Sequence, residues 1–492
     1  MFKKITLALI LIIIGQSVVF SQAGEIKRIS LSNDLGSGGF MNLYKLGLAI
    51  KTQKSKDIEF TFYDENLKKN GTTSFTMEGR REAILNYYYD TIIKRILIFH
   101  GSKKSTNLTL IEPGNKKKKT LALEVPGKKT YLNTNLVRID KGTFAITVSK
   151  KGKTTLNTIE LTNGSITPVE LPEEWKARTI LKMSRVNSKY MALFYLDKTM
   201  RNKKFKNVAI MDGDGKVVAD KLVSNDEEDF PIEEFSITDL GNNELAIAGT
   251  YSSSVTSAYS IGLFVAKIDN FKLSYIKYFD YNTIKNFYNF MSDRKKEKAE
   301  KRAEKNAQRG KSTKYLAITH PVITVDGRFI VTAEFYYPTY RTESYTTYVN
   351  GKPSTSYRTV FDGFQYTHTM VLGIDETGKK DFEHCIPFHL DYKPYFATQK
   401  LKRRVSAEEI KYSYIASNKI YSFSISDNDM KENEPKTLVE VDEDKKLKST
   451  YSSIDSWYDN FFYSLTTQTT KEKGKLIGGR ETNYYIIKYG IE

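Results

Sequence analysis

Residues 235–280 read FSITDLGNNELAIAGTYSSSVTSAYSIGLFVAKIDNFKLSYIKYFD. An apolar alternation at Phe235 and Ile237 runs into a turn at Gly241-Asn242-Asn243, and a second apolar run follows from Leu245 to Tyr251. After a polar loop a third run, Gly262 to Ile268, stops at Asp269-Asn270, and a fourth spans Leu273 to Phe279. Short runs with period-two patterning, bounded by Gly, Asn and Asp, are strands and turns rather than helix. The stretch therefore predicts four short strands in up-and-down order.

The same unit recurs along the chain. Its third strand is an apolar alternation that ends at an acidic residue or a turn pair. Copies are Phe60–Tyr63 before Asp64, Leu108–Ile111 before Glu112, Leu156–Leu161 before Asn163-Gly164, and Val208–Met211 before Asp212-Gly213. Val265–Ile268 before Asp269, Val371–Ile374 before Asp375 and Leu438–Val441 before Asp442 continue the series. Gly and Asn at these ends tolerate positive φ, and Asp closes tight turns through its own backbone. A longer apolar second strand precedes each tag, for example Tyr44–Thr52, Ile92–His100, Phe329–Tyr337 and Ile420–Ile425. Early copies stand roughly 50 residues apart, which is the period of propeller blades.

The last unit, Phe461–Leu465 followed by Tyr484–Tyr489, runs out of chain before its fourth strand, and Ile26–Leu31 is a strand without a unit. Pairing the two leaves no open edge. The expected fold is all-β: a β-propeller of seven or eight four-stranded blades, closed by the N-terminal strand, with one charged helical insertion. Strand spacing alone also permits a pair of β-sandwiches or a long meander. Gly36–Asn42 is a weak first strand for unit one, which keeps seven blades beside eight.

Composition bounds the compartment and the partners. Met1–Ser21 has the order of a secretory signal: Lys3 and Lys4, then the apolar Ile5–Ile14, then Val19-Phe20-Ser21 as a cleavage site. A membrane anchor is the other reading, and the apolar run is short for it. The expected domains are a signal peptide at 1–21 and a single propeller domain at 22–492, in the periplasm or secreted. Removing Lys3 and Lys4 takes the formal charge from +18 to +16, and such a basic chain suits anionic partners. Cys385 is the only cysteine, so no intrachain disulfide contributes.

Where the period breaks, function is expected. The tags end at 212, 269, 375 and 442, so the spacing widens around the sixth unit. The first insertion, 284–314, begins with Phe287, Phe290 and Met291 and then becomes nearly all charge. Residues 294–314 hold ten Lys or Arg against three Glu. Ala299, Ala303 and Ala307 make a small-residue stripe at helical spacing, and Glu297 with Lys301 is a favourable i,i+4 pair. A solvated spacer helix and a contact for an anionic surface are the two readings of this segment. The second insertion, 338–366, lengthens the hairpin between strands two and three, with Asn350-Gly351 as its turn. Tyr336, Tyr337, Tyr340, Tyr345, Tyr348, Tyr357 and Tyr366 punctuate its Ser/Thr-rich flanks. Exposed tyrosines suit sugars, peptides or another protein. Packing against a neighbouring blade is their alternative use. A long connection, 388–408, carries Lys400, Lys402, Arg403 and Arg404. Propeller geometry would bring all three departures to one rim over units five to seven. The candidate contact residues are Tyr340, Tyr345, Tyr348, Tyr357, Lys402, Arg403 and Arg404.

Catalytic and metal signatures are faint. Four of five histidines fall in unit six, and His320, His368 and His389 are weak metal-ligand candidates that lack the close spacing of a dedicated site. Asp212-Gly213-Asp214-Gly215 looks like the start of a calcium loop, but Lys216 stands where an acidic ligand belongs. Ser32-Asn33-Asp34-Leu35-Gly36 is a single partial Asp box ahead of the first blade. Phosphate loops, nucleophile elbows and zinc-protease helices are absent. Acidic clusters at Asp226–Asp229 and Glu233-Glu234 are the places a hydrolase would seat carboxylates.

By repeat period and strand pattern the chain resembles the broad class of exported bacterial β-propeller repeat proteins. It lacks the Trp-Asp pairs of WD repeats, the double glycines of kelch repeats and the docking tryptophans of quinoprotein propellers, having only Trp175 and Trp457. The clustered insertions and the absence of catalytic motifs lead to the expectation of a binding or scaffold module without a cofactor, its partner a protein or glycan of the cell envelope; no family's functional residues carry over. The alternative expectation is a carbohydrate-active hydrolase or lyase with carboxylates at the propeller channel.

Overall fold

The computed structural model describes residues 26–490 apart from 32–38, 79–81, 103–104, 114–116, 125–129, 140–141, 151–152, 198–204, 224–229, 255–256, 350–351, 407–408, 427–428, 460 and 475–478. The signal segment Met1–Ser21, the partial Asp box at 32–36, the acidic cluster 226–229 and the Asn350-Gly351 turn lie outside the described residues.

Eight antiparallel sheets of four strands, the sixth with its first strand split into Leu316–Thr319 and Ile323–Val325, follow one another along the chain, at 39–76, 83–123, 130–168, 178–219, 232–280, 316–387, 402–437 and 445–490. The eighth is completed by Lys27–Leu31, which pairs in register with Arg480–Gly490. This is the β-propeller fold with eight blades, the last closed by the N-terminal strand. The weak first strand of blade one exists as the four-residue Gly39–Asn42.

The described chain forms two compact units. Blades two to six make up one, Thr76–Gln399 with Ser426–Met430. Blades seven, eight and one make up the other.

Within the first unit, blade five shows why the pattern folds this way. Its second strand, Glu244–Tyr251, is buried from Leu245 onward on both faces. Leu245 and Ile247 pack with Phe264 and Ala266 against Ala192, Phe194 and Ile210 of blade four. The intervening Ala246 and Ala248 pack with Leu263 and Val265 toward Val331, Ala333 and Phe335 of blade six. A period of two thus serves two interfaces at once, and the middle strands read as near-continuous apolar runs. Gly249 is forced by packing: a Cβ there would sit 2.0 Å from the Glu234 carbonyl. The turn at Asn242 and Asn243 takes positive φ at both residues, as a tight hairpin requires.

Blade seven corrects one expectation. Ile420–Ile425 is not its second strand but its third, Lys419–Ser426; the second is Ile410–Ala416. Leu438 and Val439 are not a strand tag at all. They follow the fourth strand, Asp429–Thr437, as a buried plug. The Asn418 amide donates to the Val439 carbonyl at 2.6 Å, and its oxygen accepts from Val439 N–H at 3.2 Å. The hairpin turns on Ser417-Asn418, both at positive φ. That pair is a poorer turn signature than Asn-Gly, so the sequence marks the strand before it only weakly.

Candidate binding site on blade six

Blade six departs from blade five in two places, and both are anchored in one aromatic cluster. The first insertion docks residues 284–291 before its helix begins. Tyr281, Phe287, Tyr315 and Phe335 meet edge to face, tilted or stacked, with centroids 4.9–5.9 Å apart. His368 lies sandwiched between Phe335 at 4.6 Å and Phe290 at 4.0 Å, both nearly parallel. Asn286 fastens the same segment to the fourth strand: its N–H donates to Glu383 Oε1 at 2.8 Å and its amide to the Glu383 carbonyl at 3.1 Å. The helix then runs Asp293–Gln308, with Ala303 buried and Ala299 packed against the blade five–six core. Ala307, third in the expected stripe, is exposed.

The second insertion is a two-stranded ribbon, Arg328–Val349 against Lys352–Ile374. Its register gives it two unlike faces. Residues directly opposite share a face, and faces alternate along the strand. Tyr340 opposite Phe361, Ser344 opposite Tyr357 and Tyr348 opposite Pro353 fall on one face, with Thr342–Thr359 and Thr346–Thr355 between them. Arg341, Glu343, Tyr345 and Arg358 fall on the other. There Glu343 accepts from Arg341 at 2.8 Å and from Arg358 at 2.9 Å, which holds its carboxyl below the usual range. The Arg358 guanidinium also lies 5.9 Å over the Tyr345 ring. The charged face is satisfied by itself. The aromatic face is not: Tyr348 is 74% exposed and Tyr357 71%.

The root of the ribbon is welded to the connection that follows blade six. The Tyr366 hydroxyl donates to the Thr398 carbonyl at 2.6 Å and accepts from the Thr398 N–H at 2.9 Å. Phe364 N–H donates to the Pro394 carbonyl at 2.8 Å. A bulge leaves Asp362 unopposed, where Lys393 reaches it at 2.7 Å. At Gly363, φ +100, a Cβ would stand 2.6 Å from the Lys393 carbonyl, so only glycine lets the connection approach. The connection carries Tyr395 against Phe361 at 5.9 Å and Phe396, 81% exposed. Tyr395 extends the exposed patch, Phe396 follows it in the chain, and strand periodicity marks neither. The signal was present in Tyr392–Phe396, where three aromatics crowd a segment without strand alternation.

The sequence candidates divide. Tyr340, Tyr345, Tyr348 and Tyr357 are exposed on the ribbon, whereas Tyr366 is buried as a structural hydrogen bonder. Lys402, Arg403 and Arg404 form the first strand of blade seven, in the other compact unit. Each is partly buried and engaged: Lys402 with Asp455 at 3.1 Å, Arg404 with the Phe461 carbonyl at 2.8 Å and over the Phe462 ring. Burial lowers the Arg403 pKa, and the adjacent Tyr412 works against that shift.

The histidines do not converge on a common point. His320 Nε2 lies 2.7 Å from Glu334 Oε1, both buried. His368 shares Nδ1 with the Thr367 hydroxyl at 2.9 Å, and burial pushes its pKa down to about 3, so the ring is neutral. His389 is exposed beyond the fourth strand. Among the described residues no three metal-capable side chains cluster. Asp212 closes its hairpin by accepting from Asp214 and Lys216 N–H at 3.1 and 2.8 Å, the work of a turn residue. In blade five, Glu233 pairs with Lys206 at 2.7 Å, and desolvation raises the carboxyl pKa of both Glu233 and Glu234.

No protein-family model matches this chain, and no curated protein does. Among solved structures it is similar to the Dos1 propeller, at 11% identity over 95% of each chain with a TM-score of 0.44. An uncharacterized protein of Listeria monocytogenes EGD-e is similar at 11% identity, over 80% of this chain and 94% of that one, TM-score 0.39. TolB from Acinetobacter baumannii is similar at 11% identity, over 75% and 64%, TM-score 0.31. The propeller assignment rests on this chain's own strand pairing, eight blades in sequence with the N-terminal strand in the last.

Proposed function

We propose that this chain is an exported binding or scaffold β-propeller that holds a protein or glycan of the cell envelope, in the periplasm or outside the cell. Its contact surface is the aromatic face of the blade-six ribbon, widened by Tyr395 and Phe396. The observation that carries this reading is the asymmetry of the ribbon. One face closes its charges on itself, while the other presents Tyr340, Tyr348 and Tyr357 to solvent with hydroxyl pairs between them. Tyrosine provides contact area and a polar handle at small entropic cost. The basic insertion, 294–314, adds a contact for an anionic partner.

The test is a ribbon shortened by removal of 341–360 and closed with a two-residue glycine turn, which keeps Asp362, Phe364 and Tyr366 at the root. Used as bait in native envelope extract, it should lose the partner that the intact protein captures, and Tyr348→Ala with Tyr357→Ala should do the same. Undiminished capture by both would sink the assignment. The carbohydrate-active alternative draws on Glu234, whose carboxyl stays protonated to higher pH than usual although water reaches it. Release of reducing ends from envelope glycans, abolished by Glu234→Gln, would favour that reading over the first.

A further inference from the structure

The helix Asp293–Gln308 has a third property beyond its docking face and its net charge. Ala299 and Ala303 pack toward the core, which fixes how the rest of the helix is rotated. At 3.6 residues per turn, Arg294, Lys298, Lys301, Lys305 and Arg309 then fall in one row on the side turned away from the protein. Asp293, Glu297, Glu300 and Glu304 fall in a separate row along one flank. The Cβ atoms of neighbouring residues in the basic row are about 5–6 Å apart, and the row is roughly 22 Å long. Lys301 is shared with Glu297 at 2.6 Å, but Arg294, Lys298, Lys305 and Arg309 make no ion pair among the described residues. Helix stability explains only part of the arrangement: Glu297 pairs with Lys301, and Lys305 and Arg309 stand at the negative end of the helix dipole. Arg294, Lys295 and Lys296 stand at the positive end of the helix dipole, where cations are unfavourable, and Ser292 makes no side-chain cap bond.

We infer that this row is a track for a linear anionic polysaccharide, whose carboxylates or sulfates recur at about the spacing of the cations. This deepens the reading of 294–314 as an anionic contact and does not depend on the ribbon. A flat lipid surface fits less well. The helix exposes no large apolar side chain to insert, and the acidic flank would face the headgroups. Single-stranded nucleic acid also fits less well, because no aromatic on this helix offers a base a stacking platform, and duplex DNA is the competitor that the test must separate. Gln308, exposed next to the row, can hydrogen-bond sugar hydroxyls.

The probe is a set of heparin oligosaccharides, compared with short duplex DNA and with phosphatidylglycerol vesicles. The variant combines Arg294→Gln, Lys298→Gln, Lys305→Gln and Arg309→Gln. The charge-matched control combines Lys431→Gln, Lys436→Gln, Lys446→Gln and Lys448→Gln, exposed lysines of blades seven and eight. Heparin affinity should fall roughly tenfold or more in the first and little in the second, with a shallower salt dependence in the first. The ribbon-shortened protein should bind heparin as the intact protein does, so loss of envelope capture and loss of heparin binding are separable results. Equal weakening in variant and control would overturn the track. So would absence of heparin binding, or tighter row-dependent binding to DNA or vesicles.

Discussion

Blades five and six share a sheet plan and a wall, yet one is bare and the other carries every large departure of its unit. Both bury the inner part of their second strands, 245–251 in blade five and 329–335 in blade six, and both turn alternate residues of it to their common interface. The difference is what fills that interface toward one end. Blade five contributes Ala246 and Ala248 to a cluster that also holds Phe287 and Phe335, and His368 packs on these two rings. Small residues on one blade thus share a core with the aromatic anchor of an insertion on the next. A decorated blade needs an accommodating neighbour, and the four-stranded core itself need not change.

Truncating the anchor should have the largest effect. Phe335→Ala removes a fully buried ring and should cost about 3–5 kcal/mol, as should Phe264→Ala in blade five. Only Phe335→Ala should also speed limited proteolysis within 293–314, since that ring holds the insertion down. If the two variants were cleaved alike, the anchoring role would fail.

The His368 sandwich adds a pH dependence near neutrality, and blade five has no histidine to match it. Its pKa is lowered in the folded state, so the folded protein keeps the ring neutral while the unfolded chain takes up a proton below about 6.5. Stability from this group is therefore complete above pH 6.5 and is lost as pH falls toward 3, at about 1.4 kcal/mol per pH unit at most. His368→Phe keeps the stack, and the Thr367 hydroxyl still has the Phe335 carbonyl to donate to at 3.2 Å. Thermal midpoints of this variant should exceed those of the unaltered protein at pH 5 and converge with them at pH 8. Parallel profiles would mean that the histidine does not titrate on unfolding.

Smaller again is the effect of Tyr366→Phe. Losing a hydroxyl that serves both the carbonyl and the N–H of Thr398 should cost about 1–2 kcal/mol, and amide exchange should rise in 391–399 but not in the ribbon. Shortening the ribbon by 341–360 should be the mildest change of all. Its exposed half packs on nothing in the core, so the thermal midpoint should move by no more than about 0.5 kcal/mol equivalent. A large loss of stability would show that the ribbon is part of the blade rather than an addition to it.

Much of blade six could be read in advance, because strand periodicity and turn residues are local properties. The lengthened hairpin, the Ala stripe of the helix and the Glu297–Lys301 pair are visible in residues within one or two turns of each other. Arg403 and Arg404 were not legible in the same way. They look like a surface basic patch, but Tyr412, the Phe461 carbonyl and the Phe462 ring meet them from other strands. Phe396 escaped for the opposite reason, since an aromatic in a loop carries no periodicity to show whether it is buried.

By itself, then, the sequence determined the repeat, the completion of the last blade by the N-terminal strand, and the positions where the repeat is interrupted. A two-residue period and a set of turn signals need no knowledge of the neighbouring blade. Tertiary structure decided the register of blade seven, where Ser417-Asn418 turns the chain and Leu438 becomes a plug. It also decided which side of the ribbon is left open and which row of the 293–308 helix faces outward. Those outcomes depend on what packs against each face, and packing partners far apart in the chain leave no local trace.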